Sequence, residues 1–380
     1  MKLLHTADWH VGKTLAGRSR ADEHRAVLGE VTQLAENERV DAVLVAGDLF
    51  DTASPSPGSE EIVYEALLGL ARVAPVLVVP GNHDSERRLE ALAPLLRLAD
   101  VTVRAFVQPE PIELEVASGE KLRVGAVPWL SQRHIVRAAD LMALDAAEMT
   151  GDYRTRLRSI VAAITSSFEP DAVNVVLGHL TIAGGEMGGG ERTAQTIFDY
   201  WVDATIFPTS AHYVALGHLH KAQKMAGPCP IHYCGSPLML DFSDDEDTKQ
   251  TLIVEAAPGV PAKVDAIEMK AGRRLRTITG TLDELRALEG KTGDDYLRVR
   301  VNESARVGLG DEVRALFPEA VKVIVDHESL PIGEVGRTER AATTPHDLFV
   351  EYLAHKDISD DRLVRLFDEL HEEVHASPSS

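Results

Sequence analysis

Cysteine is nearly absent from the 380-residue chain: only Cys229 and Cys234 occur. Without a second pair there is neither a zinc ribbon nor a disulfide framework, and both are read as small, buried or partly buried side chains. No stretch approaches the roughly 18 apolar residues that a membrane helix needs. The start, Met1-Lys2-Leu3-Leu4-His5-Thr6-Ala7-Asp8, meets a His and an Asp before a leader's apolar region forms. These two absences set the expectation of a cytoplasmic chain with no membrane partner. Positive charge is also scarce. Lys and Arg number 39 against 60 Asp and Glu, a net charge of −21. Affinity for nucleic acid comes largely from Lys and Arg neutralising phosphates, so this chain alone should hold DNA weakly.

Two considerations limit that objection. Carboxylates that bind divalent cations count as −1 each, although the bound ions reverse the local sign. The segment from Ala341 to Ser380 carries nine acidic against three basic residues and need not face a substrate. What remains is ordinary: 44% hydrophobic and 26% charged residues describe a globular protein with a sizeable core. The length suggests two or three domains.

The first half alternates short apolar runs with amphipathic stretches, which indicates an α/β domain built on βαβ units. Strands are expected at Lys2–Thr6, Asp41–Ala46 and Pro75–Val79, and helices at Arg20–Arg39, Gly58–Arg72 and Glu86–Leu98. Hairpin strands follow at Ile112–Val116 and Leu122–Val127, then a helix at Tyr153–Ser167 and a buried strand at Ala172–Leu177. Further strands are expected at Tyr213–Leu216, Ile231–Tyr233 and Thr251–Val254. The acidic run Ser243–Lys249 reads as a solvated loop.

Ala257-Pro258-Gly259-Val260-Pro261 marks a boundary, giving a first domain over 1–260. A compact β-α-β-α-β unit occupies 261–335. A polar linker, Glu334–Thr344, and two helices, Pro345–Ala354 and Ser359–Val374, fill the rest, 336–380. The last helix places Leu363, Leu366, Phe367, Leu370 and Val374 on one stripe.

Five motifs fall at or just after predicted strand ends: Asp8-Trp9-His10, Gly47-Asp48-Leu49-Phe50-Asp51, Gly81-Asn82-His83-Asp84, Gly178-His179 and Gly217-His218-Leu219-His220. In an open α/β fold, ligands bind beyond the carboxyl ends of strands, so motifs in this position converge. Four of the five carry Gly beside the polar residue, which permits a sharp turn and close backbone approach. The donors are carboxylates, one amide and imidazoles, with no thiolate. That set suits Mn²⁺, Mg²⁺, Fe or Zn²⁺, and octahedral open sites favour Mn²⁺. Two ions some 3.5–4 Å apart can activate a water and clamp a phosphoryl centre. One carboxylate must bridge them, and Asp48, in the middle motif behind a Gly, is the choice.

In this order the motifs resemble those of the calcineurin-like metallophosphoesterases. The match covers Leu4–Gly12, Val45–Thr52, Gly81–Ser85, Gly178–Thr181, Ala215–His220 and Tyr233–Pro237, as far as about residue 240. Within that family the chain is similar to the bacterial nuclease subunits that work with a coiled-coil ATPase in DNA repair. The resemblance implies a four-layer core, a central β-sandwich flanked by helices, with a small capping domain and C-terminal helices. It implies that Asp8, His10, Asp48 and His220 hold one ion, and Asp48, Asn82, His179 and His218 the other. His83 is then the catalytic, non-ligand histidine, oriented by Asp51. It further implies 3′-to-5′ cleavage of duplex ends, hairpin opening, a homodimer within a heterotetramer, and C-terminal helices that dock on the ATPase.

Alternatives stand beside this reading. A phosphatase or phosphodiesterase for a non-DNA substrate would use the same core, with no need of a capping domain. A non-catalytic scaffold predicts broken motifs, and none is broken. Gly12-Lys13-Thr14 is not a P-loop, since Ala7 stands where its first Gly belongs and Asp8 and His10 would lie in the anion cradle. Arg18, Arg20 and Arg25 are either phosphate contacts or a solvated helix face. Lys270, Arg273, Arg274 and Arg276 are candidate DNA contacts of the capping unit. The loop Gly184–Gly190 either borders the site or is a free surface loop. Asp84 is expected to cap the helix behind it.

Overall fold

The computed structural model describes residues 1–116, 119–131, 134–135, 153–188, 200–244, 247–304, 306, 308–325, 362–364 and 366–367. The chain divides into two units, Met1–Asp326 and His327–Ser380. In the second, residues 362–364 and 366–367 are helical, with Leu363 and Leu366 exposed. The expected linker Glu334–Thr344 and helix Pro345–Ala354 lie outside the described residues.

Two six-stranded sheets form the body of the first unit. The order in one is Val260–Glu268, Gln250–Ala257, Lys2–Thr6, Ala42–Val45, Val76–Val78, Val101–Val103; the last four run parallel. The order in the other is Gln223–Met225, Ile231–Tyr233, Tyr213–Gly217, Val173–His179, Lys121–Val127, Ile112–Glu115, with its four inner strands parallel. Side chains alternate across each strand, and the alternation assigns the layers. Leu3, Leu44 and Leu77 point inward, where they meet Leu122, Val124, Val175, Leu177 and Ala215 of the facing sheet. Leu4, Val43, Val45, Val76 and Val78 point outward onto helices Ala21–Glu38, Pro57–Ala71 and Glu86–Arg97. Val176, Val214 and Leu216 of the second sheet meet helix Tyr153–Thr165 in the same way. The result is the helix–sheet–sheet–helix stack of an α/β core.

The stretch Ala257–Pro261, expected as a boundary, lies inside the first sheet. It is the turn of an antiparallel hairpin, with Glu255 opposite Lys263 and Ala257 opposite Val260, which completes the first sheet. The passage to the small unit therefore comes later, after Met269, whose N–H is bonded to the Lys249 carbonyl at 2.8 Å. That unit is a parallel three-stranded sheet, Leu275–Gly280, Tyr296–Val301 and Ala320–Val325, with helices Leu282–Arg286 and Leu309–Leu316 over its own apolar core.

The acidic run is not fully solvated either. Asp244 has no exposed surface and lies 3.1 Å from Nζ of Lys249, itself 6% exposed. A buried charge persists only when paired. The run has therefore folded inward at both ends.

Several arginines that could meet phosphates are committed elsewhere. Arg20 is 2% exposed, paired with Glu23 at 2.9 Å, and donates to the Met239 carbonyl. Arg273 pairs with Glu319 at 2.9 Å and lies 3.9 Å over the Tyr296 ring; Arg276 pairs with Asp295 at 3.2 Å. Arg18 and Arg25 are exposed, 3.6 Å from Glu319 and 3.5 Å from Asp22. Arg18–Glu319 joins the small unit to the body, the Arg273 and Arg276 pairs lie within the small unit, and the Arg20 and Arg25 pairs lie on the first helix.

Candidate metal centre

Every motif sits beyond the carboxyl end of a parallel strand. Asp8 and His10 follow Lys2–Thr6, Asp48 follows Ala42–Val45, and Asn82 and His83 follow Val76–Val78. His179 ends its strand; His218 and His220 follow Tyr213–Gly217. The first two loops are zipped by main-chain bonds: Asp8 N–H to Gly47 O, His10 to Asp48 O and Val11 to Leu49 O, all 2.9–3.0 Å.

Close packing needs glycines here. A Cβ on Gly81 would stand 2.1 Å from Oδ1 of Asp48, and one on Gly217 2.0 Å from the Ala46 carbonyl. The loops also hold strained backbone. Asp8, His10, Asp48 and His218 have φ of 54°, 47°, 50° and 104°, in the region non-glycine residues avoid. Such conformations cost on the order of 1–3 kcal/mol each and persist at sites whose surroundings over-determine them.

The carboxylate and imidazole donors are withdrawn from solvent. Asp8, His10 and His179 are 0% exposed, Asp48 and His220 1%, and His218 2%. Three groups have donor atoms within 4.8 Å of one another: Asp8, His10 and His220; His10, Asp48 and His83; Asp48, His179 and His218. Nε2 of His10 and Nε2 of His220 are 3.0 Å apart. Oδ1 of Asn82 is 3.0 Å from Nε2 of His179 and 2.9 Å from Nδ1 of His218. Nδ1 of His179 donates to the Ala46 carbonyl at 2.7 Å, which directs Nε2 into the cluster.

Oδ1 of Asp48 accepts from the His83 N–H at 2.8 Å. Its Oδ2 stands 3.5 Å from Nε2 of His10 and 3.4 Å from Nε2 of His179. One oxygen thus lies between the two sets of donors.

Proton counting shows that the cluster fits cations. Burial lowers His10 to about 3, against the pull of Asp51 and Asp48, and holds His218 well below the ordinary histidine value with help from His179. Both are neutral imidazoles with lone pairs to give. Nε2 of His218 is buried with no hydrogen-bond partner. Burial would raise Asp48, but the neighbouring His179 imidazole outweighs it and holds its carboxyl well below the usual range. Acceptors gathered this closely, with too few protons between them, are what hard divalent ions require. The donor groups are compatible with a dinuclear metal site.

His83 differs from the others. At 6% exposed it is the most accessible of these imidazoles. Its Nδ1 is 2.8 Å from the main-chain carbonyl of Asp51. The expected contact between His83 and the Asp51 side chain is therefore replaced by one to the peptide. The carboxylate of Asp51 instead lies 3.6 Å from Nδ1 of His10 and 3.6 Å from Nζ of Lys13. Burial would raise it, but His10 and Lys13 bring it down to about 2.

Sequence reasoning missed two residues. Asp84 does not cap the following helix: Ser85 does, accepting from Arg88 N–H at 3.3 Å. Asp84 accepts from the N–H groups of Gly81, Phe50 and Leu49 at 2.9, 3.0 and 3.2 Å, tying the Asn82 loop to the Asp48 loop. Burial and the Asp48 charge raise it to about 6, while the three N–H groups pull the other way. Its position beside Asn82-His83 was the available signal. Trp129 gave none. It follows strand Lys121–Val127, and its ring lies 5.0 Å from that of His218 and 5.3 Å from that of Tyr200. The described part of the glycine-rich loop, Gly184–Gly188, borders the cluster, since a Cβ on Gly188 would stand 3.2 Å from Cβ of His220. His5 does not reach it; its Nδ1 meets the Tyr213 hydroxyl at 2.9 Å between the sheets.

Comparison with known proteins gives consistent matches. Residues 1–222 match the calcineurin-like phosphoesterase family. The SbcD component of the SbcCD nuclease of Bacillus subtilis is 32% identical over 390 residues, covering 97% of both chains. Its namesake in Rhodobacter capsulatus is 38% identical over 64% of each chain. That of Escherichia coli K12 is 30% identical over 76% of this chain and 73% of its own.

Proposed function

The chain belongs to the calcineurin-like phosphoesterases and, within them, to the SbcD nucleases, and from that premise we propose how it cleaves DNA. It is a metal-dependent phosphodiesterase, the nuclease component of an SbcC–SbcD-type complex. The observation that supports a two-ion reading is Oδ2 of Asp48, placed between His10 and His179. On this reading Asp8, His10, Asp48 and His220 hold one ion and Asp48, Asn82, His179 and His218 the other, both Mn²⁺. When bound, such a pair lowers the pKa of a water and neutralises charge on the phosphate.

The chain's own residues supply the rest. His83 is the proton-handling group. The carbonyl it meets accepts from Nδ1–H in either protonation state, so Nε2 can give a proton to the leaving 3′ oxygen without losing its orientation. Asp51 positions two groups, His83 through its peptide and His10 through its carboxylate. The burial of the carboxylate and imidazole ligands keeps competing water from the donors. The products are those of 3′-to-5′ duplex-end cleavage and hairpin opening, and the partners are DNA, an SbcC ATPase and a second copy of this chain. The net charge of −21 supports dependence on that ATPase for DNA affinity.

The test is cleavage of labelled linear duplex and hairpin DNA with Mn²⁺, SbcC and ATP. Wild type should cut. His83→Ala should lose about 10²–10⁴-fold in rate, as expected for a general acid, while retaining its metal. Intact DNA beside rapid hydrolysis of nitrophenyl phosphate would instead identify a monoester phosphatase.

A further inference from the structure

A cleft of about 340 Å³ opens beside the metal centre and is used by nothing described so far. Two of its walls adjoin the centre. Trp129 and Leu130 leave the strand end at Val127, with Trp129 against His218. Arg87 lies on the helix that begins three residues after His83. Phe106 and Val107 add to the apolar lining and Gln108 an amide; the Glu86 carboxylate also lines the cleft, 3.8 Å from Nε2 of His134, which offsets its charge when protonated. Phe106 is 38% exposed, a large aromatic surface left toward solvent. Arg87 is exposed and makes no ion pair among the described residues, whereas its neighbour Arg88 is paired with Glu60 at 2.7 Å.

We propose that this cleft is a nucleobase subsite, receiving the base of the nucleotide attached to the scissile phosphate; this rests on the nuclease reading. Four features converge on that occupant. The volume lies within the range of small-ligand sites and exceeds what one base fills. An exposed ring offers a stacking face that tolerates any base. The Gln108 amide can meet a base edge, and the free Arg87 guanidinium complements a backbone phosphate in a chain otherwise rich in acid. Contact of Trp129 with His218 fixes the cleft's wall to the metal cluster, so the base and its phosphate are held in register. A base can enter only when unstacked from its neighbour, which costs least at a frayed end or a hairpin loop.

The experiment uses the full chain and two probes, deoxyadenosine 5′-monophosphate and 2-deoxyribose 5-phosphate, followed by quenching of tryptophan fluorescence. The nucleotide should bind more tightly than the sugar phosphate by about 5- to 100-fold, the span of base–aromatic stacking. Phe106→Ala should erase most of that difference. Phe106→Leu, which keeps the apolar volume without the ring, should erase it too, and guards against a folding defect. In steady-state cleavage, a duplex whose terminal nucleotide lacks its base should have a higher KM for wild type. Equal binding of the two probes, or a nucleotide preference that survives both substitutions, overturns the subsite alone. Failure of the wild type to cut any DNA with its ATPase partner overturns the nuclease reading, and the cleft's role in cleavage with it.

Discussion

Nε2 of His179 faces two acceptors, Oδ1 of Asn82 at 3.0 Å and Oδ2 of Asp48 at 3.4 Å. In the metal-free chain a proton resolves that conflict. Burial opposes the charged ring, but the Asp48 carboxylate prevails and raises His179 to about 9 from 6.5. A raised histidine stabilises the fold fully below the unfolded value and loses that contribution as pH climbs through the folded one. The window is therefore pH 6.5–9, and the shift corresponds to something on the order of 3 kcal/mol as an upper figure. The proton must leave before Nε2 can serve a cation, so metal binding releases it. In chelator, melting curves of wild type should fall toward those of His179→Asn as pH rises across the window. Calorimetric titration with Mn²⁺ should show affinity rising with pH, by at most tenfold per unit for this one proton. A difference between wild type and variant that is flat or grows with pH would remove His179 from the cluster. The strained backbone belongs to this scale too. Asp and His tolerate a positive φ better than most side chains, but nothing local marks Asp8, His10, Asp48 and His218 among the chain's many Asp and His residues as the ones that adopt it, so the sequence carried the ligands but not the strain.

At the scale of elements, the strand–loop junctions were the legible part. Apolar runs such as Ala42–Val45 and Val76–Val78 declare buried strands because both faces are covered, and a motif behind such a run has to surface at its carboxyl end. Long-range pairings were not legible. The hairpin through Ala257–Pro261 has Pro, Gly and exposed side chains, which mimic a linker, and only its pairing to Gln250–Ala257 makes it sheet. Asp84 looked like a cap because Asp commonly is one. Its three N–H partners come from loops 3 and about 35 positions away, a distance no local pattern encodes.

The glycine in that junction makes a sharp forecast. Gly81→Ala puts a Cβ where Oδ1 of Asp48 now accepts from His83 N–H. Overpacking of this kind costs about 1–3 kcal/mol. The variant should melt earlier and bind Mn²⁺ more weakly, because the displaced carboxylate is the one between the two donor sets. Gly29→Ala is the control, in mid-helix with nothing within 4 Å of the added methyl, and should gain about 0.5–1 kcal/mol. Chemical denaturation with metal analysis reads both. Unchanged metal content in Gly81→Ala would show that the close approach is incidental.

Across the whole molecule the acid balance and the apolar surface have to be read together. A chain at −21 repels both DNA and its own copies, so self-association needs a patch whose burial exceeds that repulsion. Helix Glu86–Arg97, which leaves directly from the His83 loop, is the candidate: Leu95 is 66% exposed and Leu98, its C-cap, 86%, the highest among the exposed large hydrophobics of the described residues. A twofold contact buries the same pair on both copies, four leucines in all. At roughly 1.5–3 kcal/mol for each side chain fully withdrawn from water, that is enough to matter, less whatever association itself costs. Because the helix starts beside His83, such a contact would also hold two metal centres at a fixed separation along one DNA. Leu95→Glu with Leu98→Glu replaces the patch with four carboxylates facing one another across the twofold axis. Sedimentation should find wild type dimeric and the double variant monomeric at micromolar concentration, with equal metal content in both. Duplex cleavage with the ATPase should fall in the variant. A wild type that sediments as a monomer, or a double variant that still pairs, would move the dimer contact to another face.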